Sequence, residues 1–436
     1  MCGENIKKSG FPKSCLSGIG ILIASVLIGT LLMFAVYSLP VEKMQAHVQE
    51  TISTQISEGD HYRFMSKDRT STSDGFTDSL MLNIAVSDFD ENIICKALLN
   101  PWSVYTGAES MTEQLANTVS DIRADSEGTY ARYWHGYLVV LKLLLLFFNY
   151  SQIRMLNALV SCSLIAIILC GFYKRFKTHK YSLAFLGAVL FLNPVVLMAS
   201  LQFSTVFYII LLEYTAALYW GDALDKKGKF NFIFLLSGIF TAFFDLLTYP
   251  IAALGMLLIL QLLLFKDTFI RNVLRAVKSS VCWIFGYLGM WSGKWIVASL
   301  LTGEDVIANA LHAVTFRTGT SSGIEGWDFS WGGLFRSNFG WLVGANAILF
   351  KMFMIILIVG VLFLLITKKV KLNIDLPFVA LLVLFCFIPI ARYIVFSNHS
   401  FMHGFITYRE GIVYVMASLC GGLSCLRQKE DSCYIP

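Results

Sequence analysis

Between Arg392 and Glu410 the chain places two His, two Arg, two Tyr, an Asn and a Glu within nineteen residues. Paired imidazoles, paired guanidiniums and aromatic faces are equipment for holding an anion, a sugar ring or a metal. His399 and His403 are four apart, which puts them on one face if the segment is helical. That spacing suits a metal, but no third ligand stands near them. No cofactor is therefore expected, with a divalent cation as the minor alternative. Arg392 and Arg409 stand beside Tyr393 and Tyr408. Two guanidiniums converging there suit an anionic headgroup, because their forked donors match phosphate oxygens.

A second set of candidates lies in the polar stretch before His135. Asp74 and Asp78 stand in Ser73-Asp-Gly-Phe-Thr-Asp-Ser-Leu80. A carboxylate held near a membrane can take the proton of an acceptor hydroxyl. The apolar residues from Leu80 to Ala85 would seat Asp78 at the start of a membrane-apposed helix. The competing reading of Asp78 is an N-cap or Asx turn. Tyr130-Ala-Arg-Tyr-Trp-His-Gly-Tyr137 closes the stretch. Trp and Tyr anchor at membrane interfaces, but Arg132 and His135 are not needed for anchoring, and lining a site would account for them.

Ionisable residues inside apolar runs are costly and are candidates for function. Asp245 falls within about one turn of the end of its run, near enough to reach the same pocket. Lys294, in Trp291-Ser-Gly-Lys-Trp295, is placed similarly or else snorkels to the interface. Glu213 falls mid-run, where it either pairs with Lys294 or is held protonated. In Gly326-Trp-Asp-Phe-Ser-Trp-Gly-Gly333, aromatic faces beside Asp328 are of the kind that pack on sugar rings.

The elements that must position these residues are membrane helices. Of 436 residues, 56% are hydrophobic and only 14% charged, against roughly 25% charged in soluble domains. Runs near 17–39, 155–173, 181–199, 204–220, 230–248, 250–265, 280–300, 347–366, 376–396 and 408–426 predict about ten spans. The run 136–150 carries Lys142 and is too short to cross, so it reads as an interfacial or re-entrant helix. The expectation is one all-α integral membrane domain over 1–436. A large first loop with juxtamembrane helices occupies 41–150, and a second loop occupies 301–346.

Basic residues concentrate near the N-terminus and at 174–180, 226–229, 266–278, 368–371 and 427–429, which together hold 19 of the 34 Lys and Arg. If 136–150 does not cross, all of these share one side. Positive-inside asymmetry makes that side cytoplasmic, together with both termini. The two loops and the 392–410 stretch then face outward. The first apolar run lacks a small-residue cleavage site and reads as an uncleaved helix. Five of the ten cysteines, Cys162, Cys170, Cys282, Cys386 and Cys420, lie in apolar runs, and no CxxC or Cys/His metal spacing occurs. No Walker A or dinucleotide glycine pattern appears, which argues against direct nucleoside-triphosphate or nucleotide-sugar chemistry on the cytoplasmic side. Nothing in the polar stretch before His135 is basic or repetitive enough for disorder or nucleic-acid binding, and no nucleic-acid partner is expected.

In layout the chain resembles the GT-C class of glycosyltransferases, polytopic enzymes that use polyprenyl-phosphate sugars. The likeness rests on an acidic residue in the first outer loop and on juxtamembrane helices before the second span. No strict paired acidic motif follows the first helix closely, and this departs from the class. The resemblance implies Asp78, or Asp74, as catalytic base, with Arg132, Arg392 and Arg409 as phosphate binders. It implies inverting transfer of a sugar from a polyprenyl-phosphate-linked donor to a glycan or lipid acceptor of the cell envelope. Asp245, Lys294, His135, His399, His403 and Tyr408 would line the same site. The rival reading is a transporter or flippase of lipid-linked glycans. It lacks support from an internal repeat or from paired Gly/Pro breaks. A scaffold without activity would leave the clustering of Arg, His and Asp unexplained.

Overall fold

Apolar runs bounded by capping residues form helices along most of the chain, described by the computed structural model over residues 11–321 and 326–428. Lys7, Lys8 and Lys429 of the basic clusters lie outside the described residues. Helix α1 (Phe11–Tyr37) leads into a first loop built of α2 (Glu42–Gln49), α3 (Ile52–Glu58), α4 (Gly75–Val86), α5 (Ile93–Leu99), α6 (Met111–Val119) and α7 (Tyr137–Leu145). There follow α8 (Tyr150–Phe176), α9 (Lys180–Phe191), α10 (Pro194–Ala199), α11 (Leu201–Lys226), α12 (Asn231–Phe244), α13 (Ile251–Leu264) and α14 (Phe269–Thr302). A second loop carries α15 (Val306–Thr318) and α16 (Trp331–Phe339). The chain continues through α17 (Ile348–Ile366), α18 (Leu376–Val395), α19 (Ser397–Met402), α20 (Gly404–Thr407) and α21 (Ile412–Ser424). One isolated bridge aside, strand among the described residues is two short antiparallel pairs, β1 (Trp102–Val104) with β2 (Ser126–Gly128) and β3 (Val370–Leu372) with β4 (Leu426–Gln428).

Five helices are long and apolar enough to cross a membrane: Cys15–Tyr37 within α1, and α8, α11, α17 and α18. Helices α9, α12 and α13 are apolar but shorter. The run 181–199 does not form one helix. Asn193 adopts a left-handed conformation (φ 59°), and Pro194, with no N–H to donate, begins α10. The run 280–300 is part of a longer helix, since α14 has 34 residues starting at Phe269. Helix α7 has nine residues, roughly 14 Å at 1.5 Å each, well short of the roughly 30 Å of a bilayer core.

Helices α12 and α14 cross with their backbones in contact. A Cβ on Gly238 would meet Trp283 O at 2.2 Å, and one on Gly286 would meet Leu235 O at 2.3 Å. This crossing aligns Trp283, Tyr287 and Trp291 in a ladder leading to the end of α12, where Asp245 sits. One end of the helix bundle gathers the basic clusters: Arg175 pairs with Asp222, Lys266 with Asp375, and Lys180 donates to Leu426 O beside the β3–β4 pair. The other end carries the two loops. There Gly136 N donates to Phe243 O (2.9 Å), Trp295 Nε1 to Arg132 O (2.9 Å) and Ser397 Oγ to Gly319 O (2.7 Å).

Candidate functional site

Asp74, rather than Asp78, is the N-cap of α4. Its Oδ1 accepts from Thr77 N (3.1 Å) and its Oδ2 from Thr77 Oγ1 (2.8 Å). Asp78, one turn on, is buried and accepts four hydrogen bonds. Ser200 Oγ and Gln202 N donate to Oδ1, both at 3.0 Å, while Leu201 N (3.0 Å) and Tyr150 OH (2.8 Å) donate to Oδ2. The carboxylate therefore sits on the N-terminus of α11, where unpaired N–H groups and the helix dipole favour negative charge. Four donors fill a carboxylate's acceptor capacity. Asp78 ties the first loop to α8 and α11 and has no lone pair free for a substrate proton, which removes the basis for its assignment as base. Asp68 does the same at α17, accepting from Ala347 N (2.9 Å) and Ile348 N (2.8 Å).

Arg409 lies in the short 3-10 turn that precedes α21 and is 1% exposed. Its guanidinium carbon is 3.6 Å from the centroid of the Phe203 ring and 4.8 Å from that of Tyr408. Among the described residues it makes one hydrogen bond, Nη1 to Phe405 O, and its Nε has no partner. Buried charges are ordinarily paired, whereas this one rests on aromatic faces without a carboxylate. Asp74 lies within electrostatic reach of it. Burial pushes the Asp74 carboxyl up to about 6, against the lowering effect of the Thr77 hydrogen bonds. His61 stands near Asp74 and meets the Phe405 ring edge-on at 5.5 Å. Tyr408 stacks on Trp341 at 4.8 Å, and its hydroxyl is buried without a partner.

Arg392 does not converge on Arg409. It pairs with Glu410 at 2.9 Å, the two side chains 5% and 0% exposed. It also donates to Ser400 Oγ (2.9 Å) and to His399 Nδ1 (3.1 Å). The ion pair lacks hydrogen-bond alignment, since Arg392 Nε and both Glu410 oxygens have no hydrogen-bond partner. Asp245 accepts from Thr248 N and Oγ1 and lies within electrostatic reach of both Arg392 and Glu410. The His399 and His403 rings are 4.9 Å apart. Burial, then the Arg392 charge, holds His399 well below its ordinary pKa; burial, then Arg317, lowers His403 to about 4. Both are neutral at pH 7. Among the described residues no three His, Cys, Asp or Glu side chains gather as a metal site.

Arg132, His135 and Lys294 seat the first loop on α14 rather than joining Arg409. Arg132 lies over the Tyr130 and Tyr133 rings at 4.5 and 5.5 Å. Lys294 donates to Leu98 O (2.7 Å) and sits over Trp134 at 5.6 Å. Of the two readings of Glu213, pairing with Lys294 does not form, and Glu213 accepts from Ser237 Oγ (2.7 Å) instead. His135 has φ +55° and donates from Nε2 to Tyr130 O (2.9 Å). Its Nδ1, 3.0 Å from Tyr137 OH, then accepts.

Burial, then the Lys294 charge, lowers His135 to about 3. The unfolded chain takes up this proton below about pH 6.5 and the folded chain does not, so acid favours unfolding. We expect wild type to lose stability relative to His135→Asn by up to roughly 1.4 kcal/mol per pH unit below about 6.5. Asparagine tolerates the left-handed backbone, and thermal unfolding of both proteins across pH 7.5 to 5 measures the difference.

Two neighbourhoods result. Asp74, His61, Phe203, Tyr408 and Arg409 form one, and Asp245, Arg392, His399, His403 and Glu410 form the other. The turn 408–411 joins them. His61 and Phe203 were missed in the sequence because a lone His in a loop and a Phe in an apolar run carry no signal of their own. Comparison with protein-family models, curated proteins and solved structures finds no match to this chain.

Proposed function

We propose that the chain is a polytopic membrane glycosyltransferase that moves a sugar from a polyprenyl-phosphate-linked donor to an extracytoplasmic acceptor, with inversion. In this reading about ten segments cross the bilayer. The basic end and both termini are cytoplasmic, and the two loops and the site face outward. The observation that carries the reading is Arg409, a buried guanidinium with no salt-bridge partner among the described residues, held on Phe203 and Tyr408 with Asp74 within electrostatic reach. A planar fork of donors in a dry aromatic setting suits a phosphate ester, and it stabilises the charge that builds there as the bond to the sugar breaks.

Asp74 takes the role of base. Its pKa near 6 leaves it ionised at neutral pH yet basic enough to accept a proton. The acceptor oxygen attacks the anomeric carbon and its proton passes to Asp74. The bond from the anomeric carbon to the phosphate oxygen breaks, with its electron pair going to the phosphate at Arg409. Arg392 is already neutralised by Glu410 and holds the turn that presents Arg409.

Two asparagine variants separate the acidic roles. Asp74→Asn is expected to lower turnover of a polyprenyl-phosphate sugar by about 10²–10⁴-fold with little change in thermal unfolding. Asp78→Asn is expected to cost on the order of 3 kcal/mol of stability, since an amide cannot accept four hydrogen bonds. If Asp74→Asn turns over normally, the base assignment is wrong. If reconstituted vesicles move the donor across the bilayer without consuming it, the transporter reading replaces this one.

A further inference from the structure

The first loop sends a hairpin, residues 62–73, to the start of α17. Phe64 N donates across it to Ser71 O (3.2 Å) and Ser73 N to Tyr62 O (2.8 Å). At its turn Asp68 accepts from Ala347 N and Ile348 N, so Lys67 and Arg69 on either side are carried to the same helix end. Arg69 N adds a bond to Asn346 Oδ1 (3.2 Å). Lys351, one turn into α17, reaches back to Gly344 O (2.7 Å). Lys67 and Arg69 are exposed and Lys351 is partly so. Among the described residues none of the three pairs with a carboxylate. Asp68, the acid between them, is buried and already engaged by Thr70, Ala347 and Ile348. Three cations thus gather at one helix end without a counter-ion.

Beside them stands an open apolar wall. Helix α17 has 19 residues, none of them buried, and runs roughly 28 Å at 1.5 Å each, close to the roughly 30 Å of a bilayer core. Met352, Ile355, Ile356, Val359, Leu362 and Phe363 are exposed along it. Its far end leads into β3 at the basic end of the bundle, so its start belongs to the end that carries the loops. Lys67, Arg69 and Lys351 then lie at head-group depth on the outer side, where positive-inside asymmetry gives no reason for them. A free anion would use only the cations. A phosphate on a lipid chain uses both the cations and the wall.

Ring contacts join this place to Arg409. The Arg69 guanidinium carbon lies 4.7 Å from the centroid of Trp341. Trp341 stacks on Tyr408 at 4.8 Å, and the Arg409 guanidinium carbon lies 4.8 Å from the Tyr408 centroid. A second route starts from the first turn of α17, where Phe350 meets Phe191 at 5.7 Å and Phe191 meets Tyr408 at 5.9 Å. The hairpin and the helix therefore both end on the ring beside Arg409. An arginine laid flat on an indole keeps the edge of its fork free for phosphate oxygens.

We propose that Lys67, Arg69 and Lys351 form a capture site for the head phosphate of the lipid-linked donor, with its hydrocarbon chain lying along α17, and that the head passes from there to Arg409. The identity of the lipid as the sugar donor rests on the transferase reading. Capture of a lipid phosphate does not. Continuity with Arg409 is what favours the donor over the bulk anionic phospholipid of the membrane.

Binding of radiolabelled polyprenyl phosphate is measured on immobilised full-length protein in detergent. In Arg409→Ala the binding that remains belongs to the surface site. Adding Lys67→Gln, Arg69→Gln and Lys351→Gln is expected to weaken it by about a hundredfold, since a cation at a lipid surface contributes about fivefold. About 1 M salt, where the Debye length is about 3 Å, is expected to weaken it similarly. The salt measurement needs no surface substitution, so it does not depend on how the triple variant folds. Binding to Arg409→Ala that resists both treatments overturns the site. Displacement by an equal concentration of phosphatidylglycerol overturns the donor assignment, and displacement by inorganic phosphate overturns the role of the chain. If Arg409→Ala binds as wild type does while the surface triple does not, the phosphate role of Arg409 fails and the capture site stands. If Arg409→Ala loses binding and the surface triple binds as wild type in low salt, the capture site fails alone.

Discussion

Replacing Arg409 by alanine is expected to weaken binding of a polyprenyl phosphate by about thirtyfold or more while costing the fold little stability. Truncating one side of a desolvated charged contact typically costs about 2–5 kcal/mol, and each 1.4 kcal/mol is about tenfold in affinity. The stability half of the expectation separates function from structure. A structural arginine would be paired, and its loss would strand a partner. Among the described residues Arg409 has no salt-bridge partner to strand, so removing it ends the desolvation of an unpaired charge, which offsets part of the cost of losing the Phe405 O hydrogen bond and the packing on Phe203 and Tyr408. Arg409→Lys is expected to fall between the two, because an ammonium keeps the charge but loses the planar fork and the stacking on Phe203. Titration of the lipid phosphate together with thermal unfolding of the three proteins tests both halves. Unchanged affinity with a lower melting temperature would mark Arg409 as structural.

The second large effect concerns Arg392 and Glu410. With side chains 5% and 0% exposed, either residue alone is an uncompensated buried charge. Glu410→Ala or Arg392→Ala is therefore expected to destabilise by about 3–5 kcal/mol. Removing both charges together, as Arg392→Met with Glu410→Leu, is expected to recover most of that loss, because apolar replacement of a buried pair is often neutral or better. Asp245 limits the recovery, since it also lies within reach of the Arg392 charge. A double-mutant cycle read by thermal unfolding isolates the coupling. Additive single losses would mean that the pair does not act as a unit.

The helical class was legible because long apolar runs leave little choice of structure, and α1, α8, α11, α17 and α18 fall where hydropathy put them. The Asn193–Pro194 break shows where hydropathy fails. The run is apolar throughout, and it is one missing N–H and one left-handed residue that divide it. The candidate site was legible as residue types more than as partnerships. Arg392 and Arg409 look equivalent in sequence, yet one is neutralised by a glutamate and the other is left on aromatic rings. Asp74 and Asp78 differ by four positions on one helix, which places them one turn apart on neighbouring patches. Only the arrival of Ser200, Leu201 and Gln202 against Asp78 fixes which is saturated. Such contacts join residues more than a hundred positions apart, and local pattern carries no trace of them.

The same long reach orders how the protein comes into being. Asp78 waits for residues 200–202 and Asp68 for residues 347 and 348. The first loop thus leaves the ribosome long before Asp68 and Asp78 meet these distant partners. Contacts between such distant segments are slow to form, and chains are vulnerable while they wait. Until α17 is in place the loop above Arg409 is only half fastened, so a nascent chain arrested before residue 347 would carry the Asp74 segment without its second clasp. Assembly of the protein and closure of its site are in that sense a single late event, completed only after most of the chain has been made.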